Sequence, residues 1–341
     1  MFALQDLPHP LVVAPMAGGM STPELVVAAE RAGALGFLAA GYKSVEAMTE
    51  QIARTRQLGG ELVGVNLFVP DPEPVDLAAA RAYRERLTPL ARRYGVQLPE
   101  PHADDDAYDV KIAALLENPV TVASFAFGCP SGEVVARLHE AGTAAVATVT
   151  SADEARQAAA AGVDALAVQG PGAGGHRATF DARAVPPEQP LPELLTAVRS
   201  VTDLPLVAAG GICTPAAVRE TLELADAVQL GTAFLDAAEA GSLPTYRTAL
   251  RDPAYTQTVL TRAFSGRYAR GLRNAFIDEF GESAPAAYPA VNQLTGPLRR
   301  AAGMTGDAAH LSLWAGTGWR DLPTGSTAAI IEALLAEVPD R

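Results

Sequence analysis

Eight times along this chain, a short run of almost wholly apolar, β-favouring residues is followed by a longer stretch with helical periodicity. The runs are Leu11–Met16, Phe37–Gly41, Leu62–Phe68, Thr121–Gly128, Ala144–Thr150, Ala165–Pro171, Pro205–Ile212 and Ala227–Leu235. Strands that are apolar at nearly every position are buried on both faces, and strand–helix alternation builds a parallel sheet covered by helices. Eight such units close into a (β/α)8 TIM barrel, an α/β fold that 341 residues with 49% hydrophobic content can fill.

The connections carry helix-start signals. Thr22-Pro23 and Thr214-Pro215 place a capping hydroxyl before a proline at the first helical position, and Ser151 to Glu154 has the capping-box spacing. Gly33, Gly142 and Gly162 follow amphipathic runs, where a left-handed carboxyl-terminal cap belongs. Two stretches interrupt the rhythm. Residues 69–118 hold two helical patterns around a Pro- and Asp-rich loop (97–106), which predicts an insertion after the third strand. Residues 241–304 show helical patterns and Pro-bounded turns without a convincing strand. They predict a small helical cap, or substrate domain, inserted after the eighth strand. The expected division is a barrel of residues 1–240 and 305–341 with a cap of 241–304, the helix over 326–338 closing the barrel wall.

A net charge of −13 argues against nucleic acid or an anionic membrane as partner. No run approaches the ~18 apolar residues that span a bilayer, and the amino terminus lacks the pattern of a signal peptide. The two cysteines, Cys129 and Cys213, make neither a disulfide framework nor a zinc motif. Together these predict a cytoplasmic protein without metal.

The chemistry-bearing residues gather at strand ends. Leu206-Val-Ala-Ala-Gly210-Gly211 ends the seventh strand, and Val228-Gln229-Leu230-Gly231-Thr232 ends the eighth. Glycines there let a phosphate approach the backbone, whose N–H groups stabilise the anion, and barrels bind phosphate at these two loops. The same glycines can also serve tight turns alone. The sixth strand ends Gln169-Gly-Pro-Gly-Ala-Gly174-Gly175-His176, which brings an imidazole to the barrel mouth. Imidazole titrates near neutral pH, so His176 can exchange a proton or donate a hydrogen bond to an anion. His9 and His102 stand beside prolines in expected surface loops, His139 on an expected helix and His310 near the tail, and all four are read as structural. Asn66 and Gln169 offer the mixed donors and acceptors that the edge of an isoalloxazine ring requires, and either can equally bind a neighbouring loop. Met16 and Ala17 leave room above the first strand.

The set Ala14-Pro-Met-Ala-Gly-Gly-Met20, Gly64-Val-Asn66, Gln169 to Arg177, Ala208-Ala-Gly-Gly-Ile212 and Gln229-Leu-Gly-Thr-Ala-Phe234 resembles the nitronate monooxygenase family, formerly the 2-nitropropane dioxygenases. Phe264-Ser-Gly-Arg-Tyr-Ala-Arg270, Ala287-Tyr288-Pro289 and Leu313-Trp-Ala-Gly316 resemble its bacterial members, so the similarity covers nearly the whole chain. The resemblance implies one non-covalent FMN. Asn66, Gln169, Gly174, Gly175, Gly210, Gly211 and the run Gln229, Leu230, Gly231, Thr232 would contact it, with the Met16 and Ala17 backbone near the ring and Thr232 at the phosphate. It implies His176 as the catalytic residue, either as a base or as a donor to a nitronate, and Tyr288 as a substrate contact. The implied reaction converts an alkyl nitronate, such as propionate 3-nitronate, with O2 to a carbonyl compound and nitrite. Tyr268, Thr317 and Pro171-Gly172 depart from the family pattern on the substrate side.

Two other functions remain open on sequence. An FMN-dependent NAD(P)H reductase of quinones or enoyl thioesters can share the barrel and its loops. A non-redox isomerase or aldolase would need a lysine or paired carboxylates at a strand end. Lys43 is the nearest candidate, with Lys111 expected on a helix. Neither cysteine has a base partner in the sequence that would make it a nucleophile.

Overall fold

The computed structural model describes residues 3–339; Met1, Phe2, Asp340 and Arg341, the outer ends of the two barrel ranges, lie outside the described residues. In chain order the elements are β1 (Leu11–Val13), α1 (Pro23–Arg31), β2 (Leu35–Ala39), α2 (Val45–Gln57), β3 (Val63–Phe68), α3 (Leu77–Tyr94), α4 (Tyr108–Glu117), β4 (Val122–Ala126), α5 (Gly132–Glu140), β5 (Ala144–Val149), α6 (Ala152–Ala160) and β6 (Ala165–Gln169). They continue with β7 (Gly175–His176), α7 (Leu191–Arg199), β8 (Leu206–Ala209), α8 (Pro215–Leu222), β9 (Ala227–Leu230), α9 (Pro244–Arg251), β10 (Thr258–Thr261), β11 (Ala269–Leu272), α10 (Ala275–Phe280), α11 (Ala290–Thr305) and α12 (Thr327–Leu335).

Strands β1 to β6, β8 and β9 form a closed parallel barrel, with β9 returning to β1 through Leu11↔Val228 and Val13↔Leu230. Side chains alternate across each strand. Leu11 and Val13 join the large core between barrel and helices, while Val12 packs with Leu35, Phe37, Val122, Val207 and Ala227 in a smaller cluster. Both faces are therefore dry, which is why the strands read as unbroken apolar runs. The runs overshoot the strands. β8 stops at Ala209 and β9 at Leu230, yet Ile212, Phe234 and Leu235 beyond them are buried. Those side chains are buried in the loops at the barrel mouth.

The caps follow the sequence. Thr22, Ser131, Ser151, Thr214 and Ser326 each accept a first-turn N–H, and Gly33, Gly142 and Gly162 take φ of 78°, 83° and 86° after their helices. Only half of the expected capping box forms. Ser151 accepts from Glu154, but the Glu154 carboxylate turns to Thr150 and to the Phe180 N–H instead. Helix α12 packs between α1 and α8 and closes the wall.

Residues 69–118 divide between two tasks. Helix α4 contacts α2 and α5 and is the barrel's own crossover. Helix α3 leaves the wall and packs on α11, burying Tyr83 and Leu87 with Phe264, Phe276, Leu294 and Leu298. The segment after the barrel corrects one expectation, because it contains strands. β10 and β11 form an antiparallel hairpin, and β11 also pairs with β7, giving a three-stranded sheet in the order β10-β11-β7. Each hairpin strand has only four residues, and its second partner lies about a hundred residues away in sequence. No local period marks such a pair. Among the described residues no helix is long and apolar enough to cross a membrane.

Candidate active site

The ends of β8 and β9 lie side by side, with Ala209 opposite Gln229. Gly210 and Gly211 follow with φ of 113° and 79°, a backbone that other residues rarely adopt. The N–H groups of Gly211, Gly231 and Thr232 have no protein acceptor among the described residues. The Thr232 hydroxyl accepts the Gly316 N–H at 3.0 Å, which leaves its proton to donate.

The glycines are there for different reasons. A Cβ on Gly174 would meet the Gly316 nitrogen at 2.4 Å, and one on Gly210 would meet the Ala173 nitrogen at 2.9 Å. Those two let three backbone segments pass close together. Gly231 differs, because a Cβ there meets nothing nearer than Ala14 Cβ at 3.4 Å and its φ of −107° suits any residue. No protein contact requires that glycine. Open space beside unpartnered N–H donors fits a phosphate-bearing group.

His176 sits where the loop after β6 pairs with a strand of the segment that follows the barrel. It belongs to β7 and pairs with Ala269 of β11. From the barrel side, Gln169 donates to the His176 carbonyl at 3.0 Å and accepts from the Ala178 N–H at 2.9 Å. The Gln169 amide thus clasps the His176 loop at both ends. The imidazole Nε2 lies 2.8 Å from Ser265 Oγ. Three rings enclose it, Trp314 at 5.5 Å, Phe127 at 5.6 Å and Tyr288 at 6.1 Å between centroids.

Two cations share this box. The Arg267 guanidinium lies 4.3 Å from the Phe127 ring centroid and 5.7 Å from that of Tyr288. Arg299 neighbours Tyr42, whose ring meets that of Tyr288 edge-on at 6.4 Å between centroids. Among the described residues neither guanidinium has a carboxylate within ion-pair distance, and the Nε of each is buried without an acceptor. Burial pulls both below the usual arginine range. Burial, reinforced by Arg267 and then Arg299, drives His176 down to about 3, so the imidazole is neutral at physiological pH. Burial also pushes Tyr42 up to about 12 and Tyr288 well above its ordinary value, so both phenols keep their protons.

Tyr42 and Phe127 follow β2 and β4 with φ of 65° and 75°. Non-glycine residues seldom adopt these angles, and such strain clusters at functional sites. The Tyr42 N–H is held by Asp106 Oδ1 at 3.0 Å, and Asp106 pairs at 2.7 Å with the fully buried Lys111.

The remaining expected residues are placed as follows. Asn66 is 4% exposed and donates to Ser124 Oγ at 2.9 Å. The Met16 N–H donates to Ser21 Oγ and its carbonyl accepts from the Ser21 N–H, which sets the turn containing Ala17. The Leu230 side chain is core, and its carbonyl accepts from Ala14. Gln229 is half-buried at the strand end and Gly175 turns the chain into β7. The other histidines have structural partners or neighbours: His139 pairs with Asp164, His310 with Asp307, His102 meets Gln293, and His9 packs against Gly33. Burial pushes Cys213 up to about 12 and raises Cys129, so neither thiol is a ready nucleophile. Lys43 is held by Gln51 and Lys111 by Asp106.

Sequence reasoning gave no role to Ser265, Arg267, Trp314, Arg299, Tyr42 or Phe127. The first three lie inside the motifs that carried the resemblance, and Tyr42 directly follows an expected strand end, so the signal was present for four of the six.

Unpartnered N–H donors at the strand ends beneath an imidazole set among aromatic rings would suit a barrel enzyme that takes a phosphate-bearing group. A model of the nitronate monooxygenase family matches residues 3–337, and the chain belongs to that family. It is 33% identical to a probable nitronate monooxygenase of Staphylococcus aureus (strain Newman) over 98% of this chain and 95% of that protein. Its fold is similar to that of a nitroalkane oxidase from Streptomyces ansochromogenes, with a TM-score of 0.94, 46% identity and coverage of 98% and 97%. FabK from Thermotoga maritima follows at a TM-score of 0.76 and 25% identity, covering 98% of this chain and 94% of that one. Membership makes the protein an oxidoreductase enzyme, and sets aside the non-redox isomerase or aldolase.

Proposed function

We propose that the protein is an FMN-dependent nitronate monooxygenase, oxidising alkyl nitronates with O2 to a carbonyl compound and nitrite. One observation carries this reading: a neutral imidazole in an aromatic box with two buried guanidiniums that lack carboxylate partners. Uncompensated buried cations favour a small anion, and a nitronate is a flat one. Gly211, Gly231 and Thr232 would hold the FMN phosphate, the ring lying toward Met16, Ala17, Asn66 and Gln169. A bound FMN supplies the electron acceptor. The protein's own share is to bind and orient. Arg267 and Arg299 hold negative charge on the nitro oxygens, the Tyr42–Tyr288 pair offers phenolic donors, and the rings exclude water. His176 takes or holds a proton. Propionate 3-nitronate fits the same requirements. Both thiols are free, which fits a cytoplasmic enzyme. The NAD(P)H reductase has less support, since the family model that matches residues 3–337 is that of nitronate monooxygenase.

The test is to record the visible spectrum of purified protein, then assay nitrite after adding propyl nitronate in air without NAD(P)H. Flavin bands and nitrite are expected. Flavin bands without nitrite, but with NAD(P)H consumption on adding a quinone or enoyl thioester, would replace this function by the reductase.

A further inference from the structure

We propose that Ser265 fixes the tautomer of His176, holding it as the Nε2–H form so that Nδ1 presents the lone pair to the substrate. The proposal rests on the function above for the reaction served, and on hydrogen-bond geometry for the tautomer.

Ser265 is 1% exposed and lies in the turn between β10 and β11. Its oxygen has three neighbours: His176 Nε2 at 2.8 Å, the Arg267 carbonyl at 3.1 Å and the Arg267 N–H at 3.3 Å. A hydroxyl has one proton and two lone pairs. The carbonyl can only accept and the N–H can only donate. All three contacts are satisfied together in one way. The hydroxyl donates to the Arg267 carbonyl and accepts from the Arg267 N–H and from an Nε2–H. The reverse assignment sends the only hydroxyl proton to Nε2 and removes it from the carbonyl. It also places a proton on Nδ1, which has no protein acceptor among the described residues. His176 is half-buried, and Nδ1 is not among the buried atoms left without a partner, so this nitrogen keeps some exposure.

The groups facing the imidazole reinforce a single neutral form. Arg267 from the β10–β11 turn and Arg299 from α11 oppose a second proton. Tyr288, Phe127 and Trp314 contribute rings without charge. Asp71 and Asp181 act on Arg267, and Asp106 on Tyr42 and Tyr288, so no carboxylate is a principal influence on the imidazole itself. In a nitroalkane, the α C–H bond breaks and its electron pair forms the C=N bond of the nitronate. The proton goes to Nδ1 and the negative charge to the nitro oxygens beside the guanidiniums, where it offsets the two cations that oppose a second proton before substrate binds, and the imidazolium keeps its Nε2–H on Ser265. A preformed nitronate skips this step. Ser265 is thus a positioning residue whose loss should divide the two substrates.

The experiment uses flavin-loaded wild type and the Ser265→Ala and Ser265→Thr variants. Nitroethane and preformed ethyl nitronate are the substrates, and ¹⁵N-histidine spectra are recorded in parallel, the His176 signals being identified by their loss in His176→Asn. Wild type should show the Nε2–H pattern, Ser265→Ala should lose it, and Ser265→Thr should keep it. In Ser265→Ala, turnover of nitroethane should fall about 10- to 100-fold and that of ethyl nitronate by less than about threefold, since a positioned base contributes ~10²–10⁴-fold to proton transfer. An unchanged Nε2–H pattern in Ser265→Ala, an Nδ1–H pattern in wild type, or equal losses on both substrates overturns the proposal. If wild type releases no nitrite from either substrate, the monooxygenase function fails, and the ¹⁵N spectra still decide the tautomer.

Discussion

At the scale of single residues, His176 is defined by what surrounds it. An imidazole held at about 3 in the folded protein titrates near 6.5 in an unfolded chain. Between those values the unfolded chain binds a proton that the folded one refuses, so stability rises with pH across that window and is lost on acidification from about 6.5 toward 3. Urea melts of wild type should weaken from pH 6.5 to 4, and His176→Asn should weaken less; parallel curves would remove His176 as a source of acid sensitivity. Glycines can be separated in the same way. Gly174→Ala places a carbon 2.4 Å from a backbone nitrogen and should cost about 2 kcal/mol or more in stability, as overpacking does. Gly231→Ala meets only ordinary contacts and should leave the melt unchanged while weakening flavin binding roughly tenfold, measured by flavin release on dilution. His176 and the glycine pairs were legible because each stands in a local motif at a strand end. Arg299 and Phe127 were not, because Arg299 lies about 120 residues beyond His176 in sequence and only folding brings it there, and Phe127 gains its meaning from a backbone angle.

At the scale of elements, legibility followed burial. The eight barrel strands read clearly because every position is apolar on both faces, and their ends read poorly because buried loops continue the same composition. The β10–β11 hairpin was missed for the opposite reason: half its residues are only partly buried and it completes its sheet with two residues of a distant loop. The 97–106 loop acts through Asp106, which joins Lys111 of α4 to Tyr42 in the turn beyond β2. Lys111 is 1% exposed and Asp106 keeps partial contact with water. Lys111→Met should therefore cost about 2–4 kcal/mol in denaturant midpoint terms, toward the low side of the ~3–5 kcal/mol for breaking a buried pair. It should also raise KM more than it lowers kcat, because Tyr42 loses its anchor; an unchanged KM would separate the ion pair from the site.

At the scale of the whole molecule, the barrel was legible from periodicity alone, whereas the packing of the remaining elements was not. Packing joins α3, from the insertion, to α11, and gathers Leu311, Leu313 and Trp319 with Tyr246 and Leu272 in one apolar cluster. These pieces come from three separate stretches of sequence, so no contiguous window contains the unit. The histidine that the barrel's loop supplies is hydrogen-bonded as the edge strand of the cap's sheet. With His176 as the base, as proposed, exchanging the segment after the barrel between relatives would also exchange the β11 pairing and the Ser265 hydroxyl that hold it. On the proposed function, breadth of substrate and strength of catalysis would then be inherited as one trait rather than two.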